Sequence, residues 1–578
     1  MVRGLSDFVE KKCNWKLIHL SGDLVVDGYA LCHELYRPND GYGGDYVTFA
    51  KHVSKFLRCL KKNGIKPYVV FDGVDIDQTK RQTHEKRRKQ NAERAYSLFQ
   101  GQLHTLIDYL PYLARLAMIE TVTNVLGEEQ LYVADGDADA YIASIANERK
   151  CPVLSVDSDF YIFPISGGYI PYGRLDWEKD SVRARIYYYD EFAHQCGLQD
   201  PSLLVMIPAI LGDNCIQSLR LIVKNTAEET VAAVVRYLSQ FSTLDSCKTY
   251  EPHNTPEIQY NIHAACYIYC CRPHEGTRLK GGGYIGKEVP MFVVDQFRKG
   301  KWAKMLMDAI CFGEVDHRVA IEDIKRPWCH LIGFPIREII YGIIRGVYGV
   351  TEHHRVQGMA NYFQDELIKT KIPSQLWPLT SGSGAILNPQ YPSVIKTCGD
   401  EIILEAANCT VEIKKSITKR EFWFFFLVSY YWYWNAKDDT VESGMRSIIL
   451  GLKERKGDVL RAIILYAMRK ILSIKYSTSH LPSLPNEPIP AVVHALSQWQ
   501  SVYHDLLCLN QLLLEPLPPM QISQAFNCTT VVKFFEFITD HGDQKLICEM
   551  NLDDNCKKVY EDLFSLIVNP SIGTVAKK

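Results

Sequence analysis

Three short apolar runs of strand length in the first half of the chain each end in an aspartate. The runs are residues 24–26, 68–71 and 153–156, and the acids that follow them are Asp27, Asp72 and Asp157. Helical patterns at 49–60 and 138–149 separate the runs, as in βα units with a parallel sheet. Ligand sites form at the carboxyl ends of parallel strands. We therefore expect the three acids to meet at one edge of one sheet.

Four further acids extend this set. Asp137 and Asp139 are spaced two apart at the start of a predicted helix, Asp159 makes a similar pair with Asp157, and Asp213 follows the apolar run 203–211. Any one of them, taken alone, is more often a helix cap or a turn residue. Together they would crowd like charges at one edge, and such charges repel unless a cation neutralises them.

Carboxylates grouped in this way suit a hard divalent cation. Oxygen ligands favour Mg²⁺ or Mn²⁺, which also accept phosphate oxygens of a substrate. Two such ions can activate a water and stabilise the leaving oxygen in phosphodiester hydrolysis. The sequence contains no competing Ser/His/Asp or Cys/His arrangement. The acids therefore predict a hydrolase that cleaves phosphodiesters with Mg²⁺ or Mn²⁺.

A basic run follows the second acid. Residues 80–94 contain seven Lys or Arg and two Glu, whereas the whole chain has a formal net charge of −2. Most charge runs are solvated helix faces. In this chain the run has one sign and stands close behind Asp72, so it also fits a local contact with nucleic acid.

The two halves of the chain differ in pattern. Residues 1–245 predict an α/β domain, and residues 246–578 predict a mainly helical region with loops near 373–392 and 481–490. The aromatic stretch 422–434 is shorter than the ~20 residues of a membrane span, so we expect a buried helix and no membrane partner.

The motifs resemble a known superfamily. Arg3-Gly4-Leu5, Val26-Asp27-Gly28, Phe71-Asp72-Gly73, Asp157-Ser158-Asp159 and Leu211-Gly212-Asp213 stand in the order found in the XPG/flap endonuclease, PIN-like superfamily. The segments Tyr42-Gly43-Gly44-Asp45-Tyr46 and Gln498-Trp499-Gln500-Ser501 are similar in sequence to the asteroid branch of this superfamily. The resemblance covers most of the chain.

This resemblance implies a PIN-like parallel-sheet nuclease domain followed by a mainly α-helical C-terminal region. It implies two divalent ions, Mg²⁺ or Mn²⁺. The seven implied metal-site acids are Asp27, Asp72, Asp137, Asp139, Asp157, Asp159 and Asp213. In the gateway helix at 80–94, Lys80 and Arg87 would contact the scissile phosphate. The implied contacts to flanking phosphates are Arg81, Lys86, Arg88 and Lys89.

Departures from the superfamily pattern bear on the metal ligands and on the shape of the substrate. Asp137 and Asp139 stand where flap endonucleases have glutamates, each one methylene longer. The region 203–240 reads as a degenerate helix-hairpin-helix, because residues 218–224 lack the glycines that let a backbone approach a duplex. Leu110-Pro111 also predicts a break in any long helix after the basic run.

The resemblance implies a structure-specific DNA endonuclease that acts on single-stranded overhangs or flaps. We expect a nuclear protein of DNA repair that processes double-strand break ends, with protein partners bound through residues 246–578. A non-catalytic scaffold or an RNA-binding protein on a nuclease-like domain remains an alternative. An RNA nuclease also remains open, because two-metal phosphate chemistry is indifferent to the sugar.

Overall fold

The structure is a computed structural model. The residues that it describes are 2, 4–36, 43–74, 81–102, 109–178, 181–212, 227–250, 253, 255–269, 289–380, 383–410, 417, 420–436, 446–472, 474, 476–484 and 488–569.

The chain divides into two compact units that interleave along the sequence. The first comprises Met1–Leu35, His52–Glu85 and Val122–Thr277, and the second comprises Tyr36–Lys51, Lys86–Thr121 and Arg278–Lys578. The boundary predicted after residue 245 stays a prediction; it lies inside the first unit.

A parallel sheet forms the centre of the first unit, as the sequence predicted. The strands of this unit are β1 (Lys16–His19), β2 (Gly22–Asp27), β3 (Ile65–Phe71), β4 (Leu131–Val133), β5 (Val153–Ser155), β6 (Tyr169–Pro171), β7 (Leu175–Asp176) and β8 (Arg183–Ile186). Five of them form a sheet in the order β4-β3-β2-β5-β6, and every neighbouring pair is parallel. β1, β8 and β7 form a separate antiparallel sheet.

The helices of the first half of the chain alternate with these strands. They are α1 (Leu5–Lys12), α2 (Gly28–Leu35), α3 (Tyr46–Lys62), α4 (Arg81–Phe99), α5 (Ala114–Leu126), α6 (Ala138–Arg149), α7 (Tyr189–Gln195), α8 (Met206–Leu211), α9 (Ala227–Leu238), α10 (Leu244–Lys248) and α11 (Pro256–Ile268). The cut between the two units passes through α3, α4 and α5.

Burial explains why the strands of the central sheet read as continuous apolar runs. In β3 every residue except Lys66 is buried, as expected for a parallel strand covered on both faces. Val25 of β2, Val70 of β3 and Ile142 of α6 belong to one hydrophobic core. The sheet and α6 therefore form a rigid support for the residues at the strand ends.

The second unit is mainly helical, as predicted. Its remaining helices are α12 (Met291–Arg298), α13 (Lys304–Phe312), α14 (Phe334–Arg345), α15 (Tyr391–Ala406), α16 (Trp423–Asn435), α17 (Arg446–Ile471), α18 (Pro490–Leu512), α19 (Ile522–Ala525), α20 (Cys528–His541), α21 (Asp543–Glu549) and α22 (Asp554–Val568). The aromatic stretch forms α16, and its residues from Phe424 to Trp432 are buried. Among the described residues, no helix combines the length and the apolar character of a membrane span.

A small sheet in the second unit was not predicted. β9 (Glu314–Val315) pairs in parallel with β10 (Val350–Arg355), and β10 pairs antiparallel with β11 (Phe363–Ile368). The inward-facing positions of β10 include Glu352 and His354, which are buried. The strand therefore lacks the apolar alternation by which strands are recognised.

An ionic group compensates for this buried polarity. The guanidinium of Arg337 donates to Glu352 Oε1 at 2.7 Å and to Asp505 Oδ2 at 2.7 Å, and all three side chains are fully buried. Buried charges require this kind of pairing, and the pairing joins α14, β10 and α18.

Candidate metal centre

Asp27 is the last residue of β2 and is 9% exposed. Its Oδ1 accepts hydrogen bonds from the backbone N–H groups of Tyr29 at 3.1 Å and Ala30 at 3.0 Å, so it caps the first turn of α2. Its Oδ2 accepts a hydrogen bond from the Ser155 hydroxyl at 2.7 Å. The carboxylate is therefore fixed in orientation.

The topology places this carboxylate at the point where a ligand site is expected. From β2 the chain first adds β3 and β4 on one side, and then returns to add β5 and β6 on the other. The strand order therefore reverses between β2 and β5, and such switch points are where open parallel sheets bind ligands. The Ser155–Asp27 hydrogen bond crosses this point.

Close packing around two glycines explains the repeated Asp-Gly motif at the strand ends. A Cβ on Gly28 would lie 2.7 Å from the Phe71 ring, and one on Gly73 would lie 1.9 Å from the carbonyl oxygen of Ala134. Neither position admits a side chain without a shift of its surroundings. Both Asp-Gly pairs therefore combine an acid with close backbone packing.

Three acids come together beside Asp27. Asp139, Asp157 and Asp159 each offer a carboxylate oxygen, and these oxygens all lie within 4.8 Å of one another. Asp157 Oδ1 also accepts the N–H of Asp159 at 3.0 Å, which starts the 3₁₀ helix Ser158–Tyr161. Asp139 lies in the first turn of α6. Two different elements therefore supply the group.

The remaining described acids lie around this group. Asp72 Oδ1 accepts the N–H of Ala138 at 3.0 Å, which ties the end of β3 to the start of α6. Asp137 is exposed and caps α6 by accepting the N–H of Asp139 at 3.1 Å. Asp137 is not a member of the three-acid group, so the two acids of this pair differ in position. The predicted acid Asp213 lies outside the described residues.

The negative charges that crowd this site contribute to raising the pKa values of two of its carboxyl groups. Burial, together with the negative charges of Asp72 and Asp157, raises the pKa of Asp27 to about 7. Burial raises the pKa of Asp139 well above its ordinary value, and the charges of Asp157, Asp27, Asp72 and Asp159 add to that effect. Strongly perturbed carboxylates grouped at a strand edge are characteristic of functional sites.

This donor set fits a hard divalent cation. The group offers carboxylate oxygens only, half-buried and mutually repelling, and a cation would remove the repulsion. Among the described residues no thiol or imidazole belongs to this group, and carboxylate oxygens favour a hard cation over a soft one. The geometry therefore supports the class of ion that the sequence predicted.

Two residues that hold the acids in place were missed in the sequence. The Ser155 hydroxyl accepts the N–H of Asp157 at 3.1 Å while it donates to Asp27. The Tyr169 hydroxyl donates to the carbonyl oxygen of Asp157 at 2.9 Å. A hydroxyl two residues before an acid at a strand end was the available signal for Ser155.

The predicted basic helix exists as α4. Lys86 and Arg87 are exposed and Lys89 is half-buried. Lys80 and the side chain of Arg81 lie outside the described residues. The Arg88 guanidinium pairs with Asp316 and its side chain is 9% exposed. Its contact with a phosphate stays a prediction.

Three segments of the chain match known protein families. Residues 1–94 match the XPG N-terminal domain, residues 113–262 match a family described as XPG domain containing, and residues 435–574 match the Asteroid N-terminal domain.

Individual relatives agree with these matches. Single-strand DNA endonuclease ASTE1 of Mus musculus is 26% identical over 98% of this chain and 90% of its own length. The protein of the same name from Danio rerio is 24% identical over 89% of this chain and 79% of its own length. Protein asteroid of Drosophila melanogaster is 30% identical over 29% of this chain and 20% of its own length.

Among solved structures, the catalytic core of Rad2 in complex with DNA substrate is similar with a TM-score of 0.30 and 16% identity. The match covers 46% of this chain and 79% of that chain. A TM-score this low supports no further statement about this chain.

Proposed function

This chain is an asteroid homologue of the XPG family, and from that premise we propose that it is a structure-specific DNA endonuclease with its chemistry at the acid cluster. The observation that carries the proposal is the meeting of Asp139, Asp157 and Asp159 within 4.8 Å at the switch point of a parallel sheet. Relatives that match most of this chain are named single-strand DNA endonucleases, which supports DNA as the substrate.

The acids would hold Mg²⁺ or Mn²⁺, and we propose two ions. Asp139, Asp157 and Asp159 would hold one, and Asp27 and Asp72 would contribute with Asp139 to the other. When bound, such ions polarise a phosphate oxygen and lower the pKa of a water. The fit rests on the carboxylate-only donor set and on the charge crowding that raises the pKa of Asp139.

The residues of the chain supply orientation and charge. The Ser155 hydroxyl donates to the Asp27 carboxylate and accepts the backbone N–H of Asp157, so it holds Asp27 against the backbone that leads into the second acid. Fixed groups of this kind need little reorganisation during the reaction. The exposed Lys86 and Arg87 of α4 offer positive charge to a phosphate backbone.

We extend the proposal to the nucleus and to DNA repair, with break ends that carry single-stranded overhangs or flaps as the substrate. The asteroid resemblance supports this role. The helical second half would bind protein partners in that setting. An RNA nuclease is distinguished from this proposal by the same assay, run on RNA of matched sequence.

Metal removal gives the first test. We expect EDTA to abolish cleavage of labelled overhang DNA and Mg²⁺ or Mn²⁺ to restore it. Ca²⁺ should permit DNA binding with little cleavage, because its looser coordination activates water poorly. Mg²⁺ should also raise the melting temperature, since a ligand that binds the folded state stabilises it. Full cleavage after thorough chelation would exclude the metal mechanism.

The second test concerns substrate shape. α4 ends at Phe99 and α5 begins at Ala114, and residues 109–111 are not helical, so the predicted break at Pro111 is confirmed. Helices α4 and α5 are therefore separate within the described ranges 81–102 and 109–126, and we infer that this part of the chain forms no tall arch through which a free 5′ end must thread. We expect a bulky protein on the 5′ end of a flap to leave its cleavage rate nearly unchanged, and 3′ overhangs to be cut. A strong block, together with intact 3′ overhangs, would indicate the threading mode instead.

A further inference from the structure

The buried face of α4 contains an arginine. Ala92, Ala95 and Leu98 are buried, and their spacing of three residues marks one side of the helix. Arg88 continues this side by one turn towards the N-terminus, and its side chain is 9% exposed. Lys86 and Arg87 are exposed. Arg88 therefore differs from its basic neighbours in its surroundings.

Two groups of the small sheet hold the Arg88 guanidinium. Its Nη1 donates to Asp316 Oδ1 at 2.5 Å, and its Cζ lies 4.7 Å from the centre of the Phe363 ring. Asp316 directly follows β9, and Phe363 is the first residue of β11. A planar guanidinium can satisfy an acid at its edge and a ring at its face at the same time, which an ammonium group cannot do equally well.

A second contact joins the same two elements one turn further along. The side-chain amide of Asn361, two residues before β11 begins, donates to Glu93 Oε1 at 2.6 Å. Both Asn361 and Glu93 are exposed, so this contact alone would be weak. Together the two contacts fix the rotation of α4 against the sheet, because residues 88 and 93 lie more than a turn apart.

We propose that Arg88 is a positioning residue, through which the small sheet β9–β11 sets the orientation of the basic helix and so the rate of DNA cleavage. The proposal rests on the proposed function and deepens it. Lys86 and Arg87 meet substrate phosphates in the correct geometry only when Arg88 is held by Asp316 and Phe363.

The competing interpretation is that Arg88 itself binds a phosphate. The two interpretations differ in the salt dependence of binding, because each lost phosphate contact lowers the slope of log K against log salt by about 0.7–0.9. They also assign different roles to Asp316. If Arg88 binds a phosphate, Asp316 competes with that phosphate; if Arg88 is a positioning residue, Asp316 holds the helix in place.

The experiment uses full-length Arg88→Ala, Asp316→Asn and the double variant. For each protein, kcat and KM on a labelled overhang DNA, the salt slope of DNA binding in Ca²⁺ and amide hydrogen exchange of residues 86–99 are measured. Arg88→Lys keeps the charge but loses the planar fork. Glu405→Gln is the matched control, since it removes an exposed ion pair with Lys371 in the same unit.

We expect Arg88→Ala and Asp316→Asn each to lower kcat by roughly 10- to 100-fold, the range that follows small misplacement of a substrate contact. The salt slope should stay unchanged, exchange in α4 should rise, and the double variant should be no worse than either single one. Arg88→Lys should recover only part of the rate that Arg88→Ala loses. Glu405→Gln should show none of these changes.

A salt slope that falls by about one contact in Arg88→Ala, or tighter DNA binding in Asp316→Asn, would overturn the proposal and restore the phosphate contact. Unchanged kcat and unchanged exchange in both variants would also overturn it. Hydrogen exchange needs no activity, so it tests whether Asp316 and Arg88 hold α4 in place even if the wild-type protein cleaves nothing. That last outcome would count against the proposed function alone.

Discussion

Asparagine at Asp139, Asp157 or Asp159 is expected to lower the rate of DNA cleavage by at least about 10²-fold, the loss that follows when a fixed charge is removed from a reacting centre. The three carboxylates lie within 4.8 Å of one another, and asparagine preserves their shape while it removes the charge that would hold a cation. Cleavage under saturating DNA, with protein free of contaminating nuclease, measures the effect.

Asp137→Asn is the matched control for this series. Asp137 is exposed and caps α6, and asparagine caps a helix as well as aspartate does. Its cleavage rate should therefore fall much less than that of Asp139→Asn, although the two acids are only two residues apart. Equal losses in both variants would mean that Asp137 also holds an ion.

Stability separates this result from simple unfolding. Without metal, each of the three variants should melt at the same temperature as the wild type or higher, because like-charge repulsion at a functional site destabilises the folded protein. Mg²⁺ should raise the melting temperature of the wild type and have little effect on Asp157→Asn. Variants that melt much earlier than the wild type would show that the acids are structural.

A chain that ends at residue 277 is expected to lose all cleavage activity and its cooperative melting transition. The reason is that residues 36–51 and 86–121 fold with the second unit. Tyr46 is fully buried there, and its hydroxyl donates to Gln500 Oε1 at 2.6 Å and accepts the N–H of Leu113 at 3.1 Å. Truncation at residue 277 would remove Gln500 and the rest of the second unit against which Tyr46 is buried.

Other contacts of the same segment would be lost as well. The carboxylate of Asp45 accepts hydrogen bonds from the hydroxyl and the N–H of Thr529, and the Cys528 thiol donates to the Gly43 carbonyl. A domain is stable by only about 5–15 kcal/mol, so several buried polar groups left unpaired at once exceed that margin.

Tyr46→Phe in the full chain is the graded version of this experiment. It removes only the hydroxyl and should lower the free energy of unfolding by about 1–3 kcal/mol, the cost of leaving buried partners unsatisfied. Activity at low temperature should survive in that variant. A fragment 1–277 that melts cooperatively and cleaves DNA would contradict the interleaved fold.

The meeting of the acids was predictable because it follows from local pattern alone. Each apolar run ends in an acid, and parallel strands bring such ends to one edge, so Asp27, Asp72 and Asp157 required no knowledge of distant contacts. The difference between Asp137 and Asp139 was not predictable in this way. It depends on which residue caps α6 and which lies in its first turn.

The interleaving of the two units could not be read from the sequence. Tyr46 and Gln500 are 454 residues apart, and no local periodicity reports such a contact. The contacts of Arg88 could not be read from the sequence for a similar reason. In the sequence it is one of several neighbouring cations, and only its contacts with Asp316 and Phe363 distinguish it from Arg87.

The most direct test of the central claim is the Mg²⁺-dependent cleavage of one labelled DNA duplex with a single-stranded overhang, measured for the full-length wild type beside Asp159→Asn. We expect endonucleolytic products from the single-stranded part with the wild type and at least about 10²-fold fewer with the variant. Equal cleavage by both proteins, or no cleavage by the wild type of overhang, flap, hairpin or single-stranded DNA, would contradict it.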